Sequence, residues 1–345
     1  MFKLNLFKPR CLSIDLGTVN TLIYLNGELV LDEPSVVAIR DEPGSIEKTV
    51  LAVGKEAKSM LGRTPGSIEA IRPMKDGVIA DFTITKKMLQ YFIRQVLNQG
   101  FFSPSPDILV CVPCGATQVE RRAIKESAVE AGARNVFLID EPIAAALGAG
   151  LEIGESTGNM VIDIGGGTTE IGIMSLNGVI YAESLRVAGD AFNESIVKHV
   201  RSKHKTVIGE ITAEKIKEEI GSAFKSNAVK KKTYVGRSVA TGLPTEFIMT
   251  NVQALEALRE PLAAIMSAIR AALEATPPEI SSDIAKSGVM LTGGGALLPG
   301  FGQLIKDKTN LDVHIAENPL TCVASGGDKA LEMINKNNMS FLSAE

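Results

Sequence analysis

Residues 12–21 read Leu-Ser-Ile-Asp-Leu-Gly-Thr-Val-Asn-Thr, an apolar run that reaches an aspartate and continues into glycine and threonine. Residues 160–170 repeat this plan as Met-Val-Ile-Asp-Ile-Gly-Gly-Gly-Thr-Thr-Glu. In both places a second apolar run follows and ends at Asn-Gly, a dipeptide typical of tight hairpin turns. The sequence therefore predicts two hairpins of one design, each with a glycine- and threonine-rich tip.

A second pattern also occurs twice, and it consists of strands that alternate with helices. The first copy predicts a strand at 108–112, a helix from Thr117 to near Gly132, a strand at 136–139 and a helix at 143–150. The second copy predicts a strand at 288–291, a helix at 301–308, a strand at 313–316 and a helix ending at Gly326-Gly327. This alternation predicts an α/β fold of two similar lobes with largely buried sheets.

Two segments of different character are inserted into the repeated parts. Residues 32–75 are rich in proline and loops, and residues 184–250 are helical and then β-like. We expect the following division: lobe I core at 1–31, 76–143 and 328–345, its small subdomain at 32–75, lobe II core at 144–183 and 251–327, and its small subdomain at 184–250.

Composition excludes several classes of protein. The chain has 345 residues, 45% of them hydrophobic, and a net charge of −4, which argues against a nucleic-acid partner. Four cysteines are too few for a disulfide framework and fit a reducing cytosol. No stretch reaches the roughly 18 apolar residues of a membrane span, and the first ten residues lack the features of a signal peptide.

The repeated tips suggest phosphate chemistry. Backbone N–H groups and hydroxyls in a small concavity bind phosphate without a lysine. Asp15 and Asp163 would repel a triphosphate unless a divalent cation lay between, and Mg²⁺ suits because it keeps its waters and needs few protein ligands. One such tip alone is better explained as an ordinary turn, whereas two copies in matching surroundings favour a phosphate site.

The spacing of residues argues against other nucleotide-binding, catalytic and metal-binding motifs. Gly54-Lys55 has Thr49 where a P-loop needs its first glycine, and no strict Gly-x-Gly-x-x-Gly opens a helix. The three histidines are distant in sequence from the glycine motifs and from Cys114, so a His-Cys catalytic pair or a zinc cluster has little support.

Three ordered motifs, at 15–21, 163–170 and 291–296, together resemble the phosphate-1, phosphate-2 and adenosine motifs of the actin, sugar-kinase and heat-shock-chaperone ATPase superfamily. Finer matches at 20–24, 60–66, 72–82 and 120–123 resemble the MreB family of bacterial actins, and the similarity runs from about Leu12 to Ile334. The resemblance implies an actin-like ATPase fold: two duplicated α/β lobes around a nucleotide cleft, each with an inserted smaller subdomain. It also implies ATP and Mg²⁺ as cofactors.

The resemblance assigns roles to particular residues. Glu141 and Thr168 match the residues that position the hydrolytic water, although Glu141 beside Pro142 could equally be a helix-start acid by spacing alone. Asp15 and Asp163 match groups that hold Mg²⁺ through water. The nucleotide-binding positions are Asp15, Gly17, Thr18, Val19, Asn20, Asp163, Gly165, Gly166, Gly167, Thr168, Glu214, Lys217, Gly293, Gly294, Gly295 and Ala296.

Membrane binding rests on two apolar segments. They are an N-terminal stretch with Phe2, Leu4, Leu6 and Phe7, and a loop with Phe101 and Phe102. In MreB relatives a short N-terminal segment and an apolar loop in this area touch the inner membrane. We therefore expect a cytoplasmic protein bound peripherally to the inner face of that membrane.

The resemblance finally implies a cytoskeletal function. We expect membrane-associated homopolymers, in paired filaments, that maintain rod shape by organising cell-wall synthesis with RodZ, MreC, MreD and wall-synthesis proteins. The alternative is a small-molecule kinase of the same superfamily, which would need a substrate base in the cleft. A chaperone would need a peptide-binding domain, and an FtsA-like adaptor would need a C-terminal amphipathic segment.

Overall fold

The computed structural model describes residues 10–40, 48–97 and 105–335. Contacts divide the chain into two compact units. Unit 1 comprises Met1–Glu152 and Thr321–Glu345, and unit 2 comprises Ile153–Leu320. Unit 2 is thus inserted between two parts of unit 1.

Strands and helices of both units follow the predicted alternation. The strands are β1 (Cys11–Leu16), β2 (Asn20–Leu25), β3 (Glu28–Pro34), β4 (Val37–Arg40), β5 (Thr49–Val53), β6 (Ile68–Ile71), β7 (Met74–Lys75), β8 (Val78–Ile79), β9 (Asp107–Val112), β10 (Asn135–Asp140), β11 (Asn159–Ile164), β12 (Thr169–Ser175), β13 (Gly178–Leu185), β14 (Thr206–Val207), β15 (Lys231–Ser238), β16 (Pro244–Thr250), β17 (Val289–Thr292) and β18 (Val313–Ile315). The helices are α1 (Lys55–Met60), α2 (Phe82–Leu97), α3 (Gln118–Glu130), α4 (Glu141–Gly148), α5 (Gly189–Lys203), α6 (Glu210–Ile220), α7 (Asn251–Glu274), α8 (Pro278–Ser287), α9 (Phe301–Thr309) and α10 (Cys322–Asn335).

The main sheets of the two units have the same topology. In unit 1 the strand order is β10-β9-β1-β2-β3, with β1, β9 and β10 parallel and the β1-β2-β3 meander antiparallel. In unit 2 the order is β13-β12-β11-β17-β18, again with a parallel set and an antiparallel meander. The strand β11 therefore corresponds to β1 and the strand β17 to β9, which confirms the duplication predicted from sequence.

Alternate residues of β1 face two different helix layers in unit 1. Leu12 and Ile14 are fully buried in a core that also contains apolar side chains of α2 and α3. Ser13, between them, donates a hydrogen bond to the Ala324 carbonyl of α10 at 2.8 Å. This alternation is the expected result of strand geometry, because successive side chains point to opposite faces of a sheet. Unit 2 has its own core, built on β11, β12, α5 and α7.

Helix α10 continues past the point at which the sequence pattern ends it. The prediction that it stops at Gly326-Gly327 is wrong, since the helix runs to Asn335. Both glycines lie where neighbouring atoms leave no room for a side chain. A Cβ on Gly326 would come within 2.6 Å of the Ala144 carbonyl carbon, and one on Gly327 within 3.0 Å of the Cys111 sulfur. These glycines are therefore packing positions, at which α10 approaches α4 and β9 closely, rather than helix-ending positions.

The inserted segments form small sheets. Strands β5, β4 and β6 make an antiparallel sheet against α1 in unit 1, and β14, β15 and β16 make one in unit 2. The contact-based units assign 144–152 and 321–327 to unit 1, whereas the sequence division places both with lobe II. The finer four-part division remains a prediction.

Within the described residues, no helix is both long and apolar enough to cross a lipid bilayer. The predicted membrane-contacting residues Phe2, Leu4, Leu6, Phe7, Phe101 and Phe102 lie outside the described residues.

Candidate functional site

The first glycine loop (residues 17–19) joins β1 to β2, and Ser35 fixes its backbone by two hydrogen bonds. The Ser35 hydroxyl donates to the Gly17 carbonyl at 2.6 Å, and the Ser35 amide donates to the Val19 carbonyl at 2.9 Å. A Cβ on Gly17 would lie 2.5 Å from the Asn20 carbonyl oxygen, so the tight turn requires glycine here. The loop carbonyls of Gly17 and Val19 are thus engaged with the protein.

The side chains of Thr18 and Asn20 have different environments. Thr18 is buried, and its hydroxyl oxygen accepts a hydrogen bond from the Gly77 amide at 3.0 Å. Because a hydroxyl also donates, Thr18 retains a proton for a further acceptor. Asn20 is exposed, and its amide donates to Asp32 at 3.0 Å. This contact gives Asn20 a structural role at the start of β2.

Asp15 and Glu141 lie at the same edge of the unit 1 sheet. Asp15 pairs with Cys111 in the β1–β9 ladder, and Asp140 pairs with Val112 in the β9–β10 ladder. All three strands are parallel, so their carboxyl ends coincide. With neighbouring strands about 4.8 Å apart, the ends of β1 and β10 are separated by roughly 10 Å. Ligands of open α/β sheets bind at this kind of edge.

Glu141 is the first residue of α4 and only 8% exposed. Asp140 occupies the N-cap position, although its side chain makes no capping hydrogen bond and instead accepts one from Arg121 at 2.5 Å. The N-cap of α4 therefore has no side-chain capping hydrogen bond, because the Asp140 carboxylate is bonded to Arg121 instead. The helix alone does not require a carboxylate at position 141, although its dipole favours one.

The second glycine loop (residues 165–168) is a tight turn between β11 and β12. The Gly165 amide donates to the Thr168 carbonyl at 2.9 Å. From the start of α5, the Asp190 amide donates to the Gly166 carbonyl at 2.8 Å and the Gly189 amide to the Gly165 carbonyl at 3.2 Å. These bonds fix the backbone of the loop, and Thr168 is held with its side chain buried.

Asp163 precedes this loop and is a buried carboxylate. It is 5% exposed, and the Thr292 hydroxyl donates to its Oδ1 at 2.7 Å. Burial raises the pKa of Asp163 to about 6, while the Thr292 hydrogen bond opposes the rise and the charge of Glu170 adds to it. A desolvated carboxylate of this kind is stabilised by a nearby cation, so the position fits a group that faces Mg²⁺ through water. Among the described residues no cluster of three or more His, Cys, Asp or Glu could hold a metal directly.

The third glycine loop (residues 293–296) follows β17 and packs against β11. Gly293 has φ of 77°, and a Cβ there would lie 2.6 Å from the Ile164 carbonyl carbon. Its amide donates to the Pro319 carbonyl at 2.8 Å. Gly294 is more open, with Leu320 as the nearest neighbour of a built Cβ at 3.5 Å, and Ala296 is buried. The loop therefore presents bare backbone at Gly294 while Gly293 and Ala296 are fixed.

Glu214 and Lys217 lie one turn apart on α6, and both are half-buried. The Lys217 ammonium donates to the Gly189 carbonyl at 3.3 Å. Since Gly189 in turn bonds the second glycine loop, the structure connects Lys217 to that loop through one residue. Unit 2 thus brings together Asp163, the second and third glycine loops and Lys217, and unit 1 brings together Asp15, the first glycine loop and Glu141.

Comparison with known proteins decides the family. The family model described as MreB/Mbl protein matches residues 9–339. The chain belongs to the MreB/Mbl family. Cell shape-determining protein MreB of Escherichia coli K12 is 58% identical over 335 residues, which cover 97% of this chain and 96% of that protein. Cell shape-determining protein Mbl of Bacillus subtilis is 46% identical over 328 residues, which cover 95% and 97% of the two chains.

Solved structures agree with membership of the MreB/Mbl family. MreB5 of Spiroplasma citri bound to ADP has a TM-score of 0.89 and 36% identity, covering 96% of this chain and 98% of that one. A MamK double helical filament has a TM-score of 0.78 at 19% identity, covering 94% and 99%, and it shares the fold. The actin-like α/β fold expected from the sequence is therefore confirmed. Membership of the MreB/Mbl family favours the cytoskeletal interpretation over the small-molecule kinase.

Three residues that shape the candidate site received no role from the sequence. Ser35 holds the first glycine loop, Thr292 holds Asp163, and Ser184 donates to the fully buried Glu170. Thr292 could have been found, because it stands directly before the third glycine loop in the strand equivalent to β9. Ser35 carries no comparable signal, since its partner is distant in sequence.

Proposed function

We propose that this chain binds and hydrolyses ATP, assembles into actin-like filaments on the cytoplasmic membrane face, and maintains rod cell shape. The observation that carries the proposal is the duplicated arrangement itself. Each unit has an aspartate one residue before the end of its first strand, and a glycine loop whose backbone is fixed by hydrogen bonds follows that strand. Such fixed loops suit phosphate binding because their remaining N–H groups are oriented in advance.

Asp15 and Asp163 would hold Mg²⁺ through its waters. The ion supplies positive charge that neutralises the phosphate oxygens. The buried position and raised pKa of Asp163 support this role, because a carboxylate removed from water gains most from a nearby cation. The first and second glycine loops then bind phosphate oxygens, Thr18 with its hydroxyl proton and both loops with backbone N–H groups.

Glu141 would orient the attacking water. Its carboxylate would accept a hydrogen bond from the water and so direct a lone pair of the water oxygen at the terminal phosphorus, a positioning role that phosphoryl transfer requires. Thr168, buried at the end of the second glycine loop, would contact the same water. Glu214 and Lys217 on α6 would contact the ribose, and the open backbone at Gly294 would contact the adenine ring.

Polymerisation and cell-shape maintenance are proposed from the family, since the named relatives are cell shape-determining proteins. Head-to-tail contacts between copies form open filaments rather than rings when the rotation does not close. The segments with Phe2 to Phe7 and with Phe101-Phe102 would contact lipid, and RodZ, MreC, MreD and wall-synthesis proteins would be partners of the filament.

The test measures sedimentation of polymer and release of phosphate in the same tubes, with ATP, Mg²⁺ and liposomes. Asp163→Ala should abolish nucleotide-dependent pelleting and phosphate release, and Asp307→Ala, which changes an exposed acid of the same unit, should leave both unchanged. A soluble monomer that transfers phosphate to an added sugar or polyol would refute the proposal.

The membrane contribution has a separate test. Deletion of residues 1–9 combined with Phe101→Ser and Phe102→Ser should abolish vesicle co-sedimentation while phosphate release continues. Vesicle binding that survives all three changes would refute the assigned membrane segments.

A further inference from the structure

The buried hydroxyl of Thr292 contacts Asp163, the carboxylate proposed to face Mg²⁺. The side chain is 0% exposed, and its Oγ1 lies 2.7 Å from Asp163 Oδ1 and 3.5 Å from the Ile162 carbonyl oxygen. The shorter contact is the stronger one, because a hydroxyl has one proton and its hydrogen bond to a carboxylate is charge-assisted. Of the residues that the structure describes, Thr292 alone donates a side-chain hydrogen bond to Asp163.

The backbone fixes this contact. Asp163 and Thr292 are direct partners in the parallel β11–β17 ladder, so their separation is set by the sheet. The carboxylate plane of an aspartate turns easily about χ2. A hydroxyl donor fixed on the neighbouring strand thus holds a group that would otherwise rotate.

We infer that Thr292 is a positioning residue for ATP-bound Mg²⁺: it engages one oxygen of Asp163 and so orients the other oxygen towards the waters of the ion. The inference rests on the proposed function. Thr292 does not touch nucleotide or metal in this role and acts through Asp163. Groups that hold a metal-facing carboxylate in place tune metal affinity even though they lie one step away.

The experiment measures binding of a fluorescent ATP analogue by the full chain with Mg²⁺ and with EDTA, and takes the ratio of the two affinities. Thr292→Val removes the hydroxyl and keeps the shape, and should lower this ratio by about tenfold. Thr292→Ser keeps the hydroxyl and should stay within about twofold of wild type. Thr206→Val removes another buried strand hydroxyl of unit 2, one that bonds the His204 carbonyl at 3.0 Å, and should leave the ratio unchanged.

The outcomes separate this inference from the proposed function. If wild type binds no ATP, the proposed function fails. If wild type binds ATP with a Mg²⁺-dependent gain and Thr292→Val keeps that gain, the role of Thr292 is refuted. A loss in Thr292→Ser as large as that in Thr292→Val would also refute it, because the hydroxyl would then not be the active group. Circular dichroism of each variant confirms that the comparison is made on folded protein.

Discussion

Substitution of Gly326 by alanine should destabilise unit 1, because α10 contacts α4 backbone to backbone at this position. A Cβ would lie 2.6 Å from the Ala144 carbonyl carbon and 2.7 Å from the Gly148 amide nitrogen, with the Ala144 carbonyl oxygen closer still. Neither neighbour is a flexible side chain that could turn away. The two helices must therefore separate by about 1 Å, a gap that forfeits up to half of each van der Waals well along the interface.

The magnitude follows from two opposing terms. Overpacking of a core costs about 1–3 kcal/mol and more where backbone meets backbone, so we take about 3–4 kcal/mol here. Alanine is favoured over glycine within a helix by about 1 kcal/mol, which offsets part of the loss. The net effect is a decrease of about 2–3 kcal/mol in the free energy of unfolding. For a unit of this size that corresponds to a fall of about 4–12 °C in Tm.

Thermal unfolding followed by circular dichroism checks this value. Gly66→Ala is the matched control, because a Cβ at Gly66 meets no atom within 4 Å, and its Tm should stay close to that of wild type. A Gly326→Ala variant that melts at or above the wild-type temperature would show that α4 and α10 do not pack as described.

Three further predictions concern the proposed site and one helix end. Burial raises the pKa of Asp163 from 3.8 to about 6. The free energy of unfolding of the nucleotide-free protein should therefore fall as the pH rises from about 4 to about 6, because the folded state must then hold a buried charge. Asp163→Asn cannot ionise, so in urea titrations its free energy of unfolding should exceed that of wild type by up to about 3 kcal/mol at pH 8 but not at pH 4. An equal difference at both pH values would contradict the burial argument. Glu141→Gln should bind ATP normally yet release phosphate at least about 100-fold more slowly, and an unchanged rate would remove Glu141 from the mechanism. Thr117 and Glu120 form a capping box on α3, so Thr117→Ala should cost about 1 kcal/mol, and a Tm identical to wild type would argue against the cap.

Local patterns explain which parts of the fold could be predicted. The hairpins around Asp15 and Asp163 follow from alternation, glycine and Asn-Gly turns, all of which act within a few residues. The capping box at Thr117 is likewise a contact between residues three apart. Such signals can be read from the sequence because both partners lie within a few residues of each other.

Features that depend on distant partners could not be predicted. The sequence shows Gly326-Gly327 as a helix end because glycine has the lowest helix propensity after proline, whereas contact with α4 gives the same residues a packing role. Ser35 was missed for a related reason. Its hydroxyl acts on the Gly17 carbonyl, which is distant in sequence, and sequence periodicity carries no information on such a pair. Thr292 lies within the third glycine motif, but its contact with Asp163 depends on the pairing of β11 with β17.

The insertion of unit 2 between α4 and α10 affects the order in which the protein can be completed during translation. Ser13 and Cys111 donate hydrogen bonds to the carbonyls of Ala324 and Val323, so one face of the unit 1 sheet is covered by a helix that is made after unit 2. Residues 153–320 emerge from the ribosome first and contain their own core. A nascent chain halted just after residue 320 therefore has every residue of its second unit but lacks the helix that covers β1 and β9, so that sheet face stays uncovered until α10 is made.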